Sequence, residues 1–327
     1  MNNSFGKILR LTIYGASHAD RVGISMEGVP AGIHLPVELF AQDLERRRPQ
    51  LKGETSRHEE DIPHIEGLDS SNNTTGERMD ISFSNRNIRS RDYSHLKSHP
   101  RPSHADLVQR RKYGEEYNLA GGGMASGRMT VALVAAGVVA KEILATATFA
   151  TRLVEVGGCS DVSQFEDVIA SAHRDGDSVG GVVECCISGI PHSLGEPFFD
   201  SAESVIAHLL FSIPGVKGVE FGDGFAGARK RGSQRNDVIT SAMGETSTNN
   251  EGGINGGITN GNDIIVRVAV KPTPSIVREQ LTYNFEHEGI SPLIIGGRHD
   301  ACIARRAAVV IEAMTAVALA DLKLQQR

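Results

Sequence analysis

The chain has no tryptophan, only 5% of its 327 residues are aromatic, and it has just four cysteines. Scarce aromatics leave few stacking platforms for bases and argue against a nucleic-acid partner. Cys185 and Cys186 are sequence neighbours, so four scattered cysteines do not form a routine disulfide framework, and a reducing compartment fits. The longest apolar run, Val131 to Ala140, is far short of the ~20 residues that span a bilayer, so no membrane partner is expected. The N-terminal MNNSFGKILRLTIYG lacks the apolar core of a secretory signal, and a soluble cytoplasmic protein is expected. His95, His99 and His104 match no standard zinc spacing and no C-x-x-C occurs, so no metal site is expected. G-x-x-x-x-G-K-[ST], a clean G-x-G-x-x-G and G-x-S-x-G are also missing.

Glycine is abundant. Its 36 positions are about one residue in nine, which points to many sharp turns or close approach of backbone to a ligand. The formal charge of -6 is too mild to force a nucleic-acid or membrane-surface reading. Between Arg86 and Lys112 the sign reverses: Arg86, Arg89, Arg91, Lys97, Arg101, Arg110, Arg111 and Lys112 face only Asp92 and Asp106, and an anion is expected to dock there.

Length alone allows two domains at about 150 residues each. Internal similarity favours one. Val22 to Pro49 reads as a strand, a G-x-P turn at Gly28 and Pro30, and a helix starting near Pro36 and running into ERRRP; Gly181 to Pro214 repeats the order, with its turn at Gly189 and Pro191 and a helix from Ala202 to FSIP. Ser126 to Leu144 parallels Arg305 to Leu322, both Arg-led apolar helices rich in small residues, suited to close helix packing. Strand-like alternation appears at Asp80 to Phe83, Val182 to Ile187 and Ile264 to Val270, while Thr246 to Gly261 reads as a loop. The expected class is α+β, one intertwined domain over residues 1–327 with pseudo-twofold halves of about 1–150 and 175–327.

Four patches combine glycine, histidine and arginine: YGASH at Tyr14 to His18, RRRP at Arg46 to Pro49, the stretch from Arg101 to Arg128, and KPTPS (Lys271 to Ser275) with GRHD (Gly297 to Asp300). Three glycines followed by Ser and Arg at the mouth of an apolar helix suit an anion; a flexible turn capping a core helix has the same sequence. His18 and His104 sit beside Ser and near Arg, where an imidazole can move protons or serve as a hydrogen-bonded structural group. Asp300 reads as a carboxylate base or as a helix N-cap. The arginine triplet reads as a solvated helix end or as forks for phosphate and carboxylate.

In order, the chain carries GASH (Gly15 to His18), GVPAGI (Gly28 to Ile33), DLERRRP (Asp43 to Pro49), DYS (Asp92 to Ser94) and RPSHAD (Arg101 to Asp106). KYG, GGG with S-G-R-x-T (Gly121 to Thr130), GDSVG (Gly176 to Gly180), SLGEPFFD (Ser193 to Asp200) and VKGVEFGDGF (Val216 to Phe225) follow. RGSQRND (Arg231 to Asp237), GGINGG (Gly252 to Gly257), KPTPS and GRHD complete the series, which resembles the chorismate synthase family over the whole chain.

The resemblance implies a β-α-β sandwich, a homotetramer, and anti-1,4-elimination of phosphate from 5-enolpyruvylshikimate 3-phosphate to give chorismate with reduced FMN. It implies catalytic roles for His18 at the leaving phosphate, His104 at the reduced flavin and Asp300 at flavin N5. Arg47, Arg48, Arg101 and Arg128, with Arg298, would hold the substrate's phosphate and two carboxylates. The flavin would lie against Ala125, Ser126, Gly215, Gly256, Lys271, Pro272, Thr273, Pro274, Ser275 and Arg298. An external flavin reductase would supply reduced flavin, with NADPH as an indirect reductant.

Departures fall inside the motifs. Ala16 and Ala19 stand where the family usually has an acidic residue or Ser and a Gly. R-G-G-G-R-S-S-A-R reads Ala120-Gly-Gly-Gly-Met124-Ala125-Ser126-Gly127-Arg128, and Ala301 replaces a usual Pro. The segment many relatives carry before GDSVG is trimmed. Each lost charged hydrogen bond is worth about 1.5 to 3 kcal/mol. The alternative expectation is therefore a catalytically degenerate homologue that binds flavin or an anion without turnover.

Overall fold

The computed structural model describes residues 2–50, 53–55, 57, 59–87, 96–114, 117–297 and 299–326. Of the residues singled out above, Arg89, Arg91, Asp92, Tyr93, Ser94, His95 and Arg298 lie outside the described residues. In the first half, β1 (Ser4–Phe5), β2 (Arg10–Gly15), β3 (Arg21–Glu27), β4 (His64–Glu66) and β5 (Met79–Ser84) form a sheet in the order β1-β2-β3-β5-β4. All its pairings are antiparallel. Helix α1 (Ala41–Arg47) lies between β3 and β4; α2 (Asp106–Tyr113) and α3 (Thr130–Leu144) follow β5.

The second half contributes β6 (Thr148–Val156), α4 (Phe165–Arg174), β7 (Gly181–Ser188), α5 (Ala202–Ser212) and β8 (Val216–Phe221). Two short helical turns, α6 (Gly224–Gly227) and α7 (Gly232–Arg235), precede a ribbon of β9 (Ile254–Asn255) and β10 (Ile258–Thr259). That ribbon gives part of the expected Thr246 to Gly261 loop a paired backbone. Strand β11 (Ile264–Val270), the ribbon β12 (Gln280–Asn284) and β13 (Gly289–Leu293), and α8 (Ala304–Gln325) complete the order. The second sheet runs β6-β7-β11-β8.

Hydrophobic pattern explains the layering. In β11 Ile264, Val266, Val268 and Val270 alternate inward and are buried, as a sheet with one face on a core requires. Helix α8 is buried on nearly all sides. It packs on β6 and β7 of the second sheet and on α3, which in turn packs on β3 and β5 of the first. The result is an α+β sandwich of sheet, helices and sheet, with one continuous apolar core drawing on both halves. Gly137 is where α3 and α8 meet, since a Cβ there would lie 2.3 Å from that of Ala313. Among the described residues no helix is long and apolar enough to cross a membrane.

The two halves share fine geometry. Gly28 and Gly189 hold φ of +77° and +76°, and a Cβ on either would strike a carbonyl oxygen, Ile8 O at 1.9 Å or Thr146 O at 2.4 Å. After each turn a buried threonine clamps the chain. Thr74 Oγ1 accepts from Ile33 N at 2.9 Å and donates to Pro30 O at 2.6 Å; Thr259 Oγ1 accepts from Leu194 N at 2.9 Å and donates to Pro191 O at 2.7 Å.

Candidate active site

The C-terminal ends of α1 and α5 and the N-terminal turns of α3 and α8 converge on a cavity of about 390 Å³. Helix α1 ends by delivering Arg47 and Arg48, and α5 by delivering Ile213, Pro214 and Gly215. Arg46 turns away: its two Nη atoms clasp Glu312 at 2.9 and 2.8 Å in the helix layer, and Lys141 joins the same carboxylate. Only two arginines of the triplet therefore serve the cavity.

Buried arginines need counter-charges, and the sequence-distant Asp61 supplies one. Its carboxylate accepts from Arg47 Nη2 at 2.6 Å and also pairs with Arg128 Nη1. Burial opposes ionisation of Asp61, but the two guanidinium groups hold its carboxyl below the usual range. Arg47 is pushed down to about 10, mainly by burial and further by Arg306 and Arg128, against the pull of Asp61. It stays charged at neutral pH. Asn85 aims Arg128 by accepting from its Nε at 2.8 Å, while Asn85 Nδ2 donates to Ala16 O and Ala19 O. Ala16 and Ala19 thus contribute backbone carbonyls to this brace.

Arg101 is fixed from three sides: Nε and Nη2 each donate to Asp106 at 2.7 Å, and Nη1 donates to Ser275 Oγ at 2.9 Å. Asp106 Oδ1 also lies 2.7 Å from His104 Nδ1, off the line of a good hydrogen bond. Burial works against the Asp106 carboxylate, yet Arg101 and His104 keep its pKa well below the ordinary value. Burial lowers the His104 pKa, Arg101 and Lys271 add to that effect, and Asp106 offsets part of it. The imidazole is neutral at neutral pH.

The glycine loop at Gly121 to Gly123 has all three φ values positive, at +62°, +91° and +57°. A Cβ on Gly121 would sit 3.0 Å from His18 Nε2, and one on Gly122 would sit 3.5 Å from His104 Cε1. The glycines seat both imidazoles against the backbone. After the loop, Ser126 Oγ accepts from Arg128 N at 3.3 Å and opens the turn into α3.

Beyond those described, the cavity wall includes Ala125, Ser126, Lys271, Thr273, Pro274, Ser275 and Asp300. His18 lies just behind the wall, whose surface there is formed by Ser17 and Gly121. Pro272 is exposed, because the extended 271–275 segment turns it away from its cavity-lining neighbours and packs its ring near Gly180. Gly256 is not brought to the cavity. It is an exposed turn between β9 and β10, which is bonded to the start of α5, while the cavity is at that helix's far end. An 11-residue helix puts those ends roughly 16 Å apart. Asp300 is no N-cap: α8 begins at Ala304 after Ile303, and Asp300 accepts from Thr55 N at 3.0 Å and Arg306 Nη1 at 2.9 Å.

The described residues of the basic stretch do not all face one way. Arg101 turns into the cavity, Arg110 packs over the Phe285 ring at 5.6 Å, and Arg86 pairs with Glu60 at 3.3 Å. Sequence reading missed Arg57, Glu59, Asp61, Asn85, His299 and Arg306. The available signal was chemical: arginines buried as cavity ligands require carboxylates, and EED at Glu59 to Asp61 lies beside one of them. Among the described residues, Arg47, Arg48, Arg57, Arg101, Arg128, Lys271 and Arg306 line the cavity against Glu59, Asp61 and Asp300. Ile213, Ile303, Ala307 and Val310 give it an apolar side. Such a space can hold a polyanion beside a flat apolar body.

The family profile described as chorismate synthase matches residues 9–324. A protein of Chitinophaga pinensis named chorismate synthase is 50% identical over 326 residues, covering 99% of this chain and 97% of its own. One of Dehalococcoides mccartyi with the same name is 40% identical, covering 99% and 97%. A crystal structure titled as chorismate synthase superposes with a TM-score of 0.73 at 26% identity, covering 98% of this chain and 93% of that one.

Proposed function

This chain belongs to the chorismate synthase family, and on that premise we propose that the cavity between its two halves is the active site. The activity is that of a carbon-oxygen lyase of the shikimate pathway: 5-enolpyruvylshikimate 3-phosphate loses phosphate and a ring hydrogen and becomes chorismate. One observation carries the assignment of the site. Among the described residues seven cationic side chains line the cavity against three carboxylates, which suits a substrate with a phosphate and two carboxylates.

Reduced FMN is the family's cofactor, and when bound it supplies the electron-rich partner that promotes C-O cleavage with no net redox change. The residues fit it, because the apolar side at Ile213, Ile303, Ala307 and Val310 suits a flat ring and excludes water. Ala125, Ser126, Gly215, Lys271 and Thr273 to Ser275 would hold the cofactor. Arg47, Arg48, Arg101 and Arg128 would bind the substrate's anions. Neutral His104, with Nδ1 toward Asp106, keeps Nε2 for proton exchange, and His18 behind the Gly121 wall would assist the departing phosphate. Of the positions in the Ala120 to Arg128 motif where the family pattern is broken, Ala120 and Met124 do not line the cavity, whereas Ala125 and Gly127 do. The proposal extends to a cytoplasmic homotetramer served by an external flavin reductase that draws on NADPH. Exposed Leu281 and Ile290 on the β12–β13 ribbon support association of copies.

Anaerobic assay with reduced FMN and 5-enolpyruvylshikimate 3-phosphate tests this reading. Chorismate is expected, and His104→Ala is expected to lower turnover by about 10² or more with the fold intact by circular dichroism. No chorismate at any flavin concentration rejects the activity; near-normal turnover of the variant removes His104 from the chemistry.

A further inference from the structure

Arg306 lies on the first turn of α8, in the half of the molecule that otherwise supplies much of the cavity's apolar side. Its guanidinium is held by two edges. Nε donates to Arg47 O at 2.8 Å, and Nη1 donates to both oxygens of Asp300 at 3.2 and 2.9 Å. Nη2 makes no hydrogen bond to any described residue. The group is mostly buried, with 18% of its side chain exposed, and it belongs to the cavity wall.

This arrangement differs from that of Arg101 and Arg128. Arg101 spends both ends of its fork on Asp106 and Ser275, and Arg128 distributes its donors among Asn85, Asp61 and Ser84 O. Arg306 is oriented just as firmly but keeps one terminal nitrogen unspent. A guanidinium fixed beforehand, in the wall of a cation-rich cavity and with one donor unspent, loses little entropy on meeting an oxyanion. Asp300 then acts as an anchor for the fork, keeping Nη2 aimed, while Thr55 N steadies the carboxylate from the loop that follows α1.

We propose that Arg306 is an anion-binding residue of the active site, donating through Nη2 to an oxyanion of the bound substrate, with Asp300 as its positioning residue. The proposal rests on the reading of the cavity as the site for 5-enolpyruvylshikimate 3-phosphate. The oxyanion belongs to the phosphate or to one of the two carboxylates, and the choice of probe separates them.

Calorimetric titration of the intact, flavin-free protein with 5-enolpyruvylshikimate 3-phosphate, shikimate 3-phosphate and inorganic phosphate is the test. Arg306→Gln is expected to weaken the full substrate by about 10-fold or more, the scale of one charge-assisted hydrogen bond. Arg306→Lys should recover part of the loss, which a purely structural brace would not show. Weakening of all three probes assigns the phosphate. Weakening of the full substrate alone assigns the enolpyruvyl carboxylate, and weakening of both organic probes but not phosphate assigns the ring carboxylate. Affinities for all three within twofold of wild type overturn the proposal. If the variants fail to fold, phenylglyoxal labelling of the wild-type protein, read by mass spectrometry, replaces them: substrate should protect Arg306, and equal labelling with and without substrate overturns the proposal. Failure of the wild-type protein to bind the full substrate strikes the active-site reading itself; binding that is indifferent to Arg306 strikes only this inference.

Discussion

The two halves of the molecule use one backbone plan for two different purposes. The strand order β2-β3-β5-β4 is matched by β6-β7-β11-β8, and the clamps at Thr74 and Thr259 agree to within 0.1 Å in both side-chain bonds. The ends of the paired helices differ. Helix α1 stops at Arg47, Arg48 and Pro49, whereas α5 stops at Ile213 and Pro214, and both ends face the cavity. Turns and strand registers tolerate little change, because glycine at positive φ and buried hydrogen bonds dictate them. Residues at helix ends carry no such backbone constraint, and the first half supplies most of the cavity's charge while the second supplies most of its apolar side.

The largest effect should come from removing the counter-charge that lets the first half bury its arginines. Asp61→Asn leaves Arg47 and Arg128 facing a neutral amide, and breaking a buried pair in this way costs about 3–5 kcal/mol. Ile213→Val on the facing wall should cost only about 0.5–1.5 kcal/mol, since it deletes one methyl group. Urea denaturation of both variants measures the contrast, and equal losses would show that the charged wall is no more dependent on its own pairing than the apolar one.

A medium effect tests the sameness. Thr74→Val and Thr259→Val each remove a buried hydroxyl and leave a turn N–H without its side-chain partner, a loss of about 1–3 kcal/mol apiece. The two losses are expected to agree within about 0.5 kcal/mol, the error at which independent substitutions usually add. A gap well beyond that would mean the matching distances hide unequal energetics.

Much of the sandwich was legible because the repeated features are local. A G-x-P turn, an alternating strand such as β11 and an Arg-led small-residue helix each announce themselves in a short window. The site was legible where its residues sit in motifs: Arg47, Arg48, Arg101, His104, Arg128, Lys271 and Asp300 all reach the cavity wall. What stayed hidden depends on contacts between distant segments. No window of sequence joins Asp61 to Arg128, 67 positions away, or Arg306 to the carbonyl of Arg47, 259 positions away. Gly256 and Pro272 show the converse, since membership in a glycine or KPTPS motif did not decide which way a short turn faces.

The smallest expected effect concerns protons. His104 from the first half and His299 from the second both line the cavity, and burial is the leading cause that lowers the pKa of each. In the unfolded chain both return to about 6.5. As pH falls through that value the unfolded state takes up protons that the native state refuses, so stability drops; above it these groups contribute no pH dependence. The loss is complete once pH has passed below the native pKa values. Each group adds at most about 1.4 kcal/mol per pH unit within its window. His104→Gln should therefore flatten the decline in stability below about pH 6.5, and His299→Gln should flatten it by a comparable amount. Measured by urea midpoints at pH 7, 6 and 5, matching reductions in slope would place both imidazoles in equally dry surroundings despite the unlike walls. A reduction from only one of them would show that the difference between charged and apolar halves extends to proton affinity.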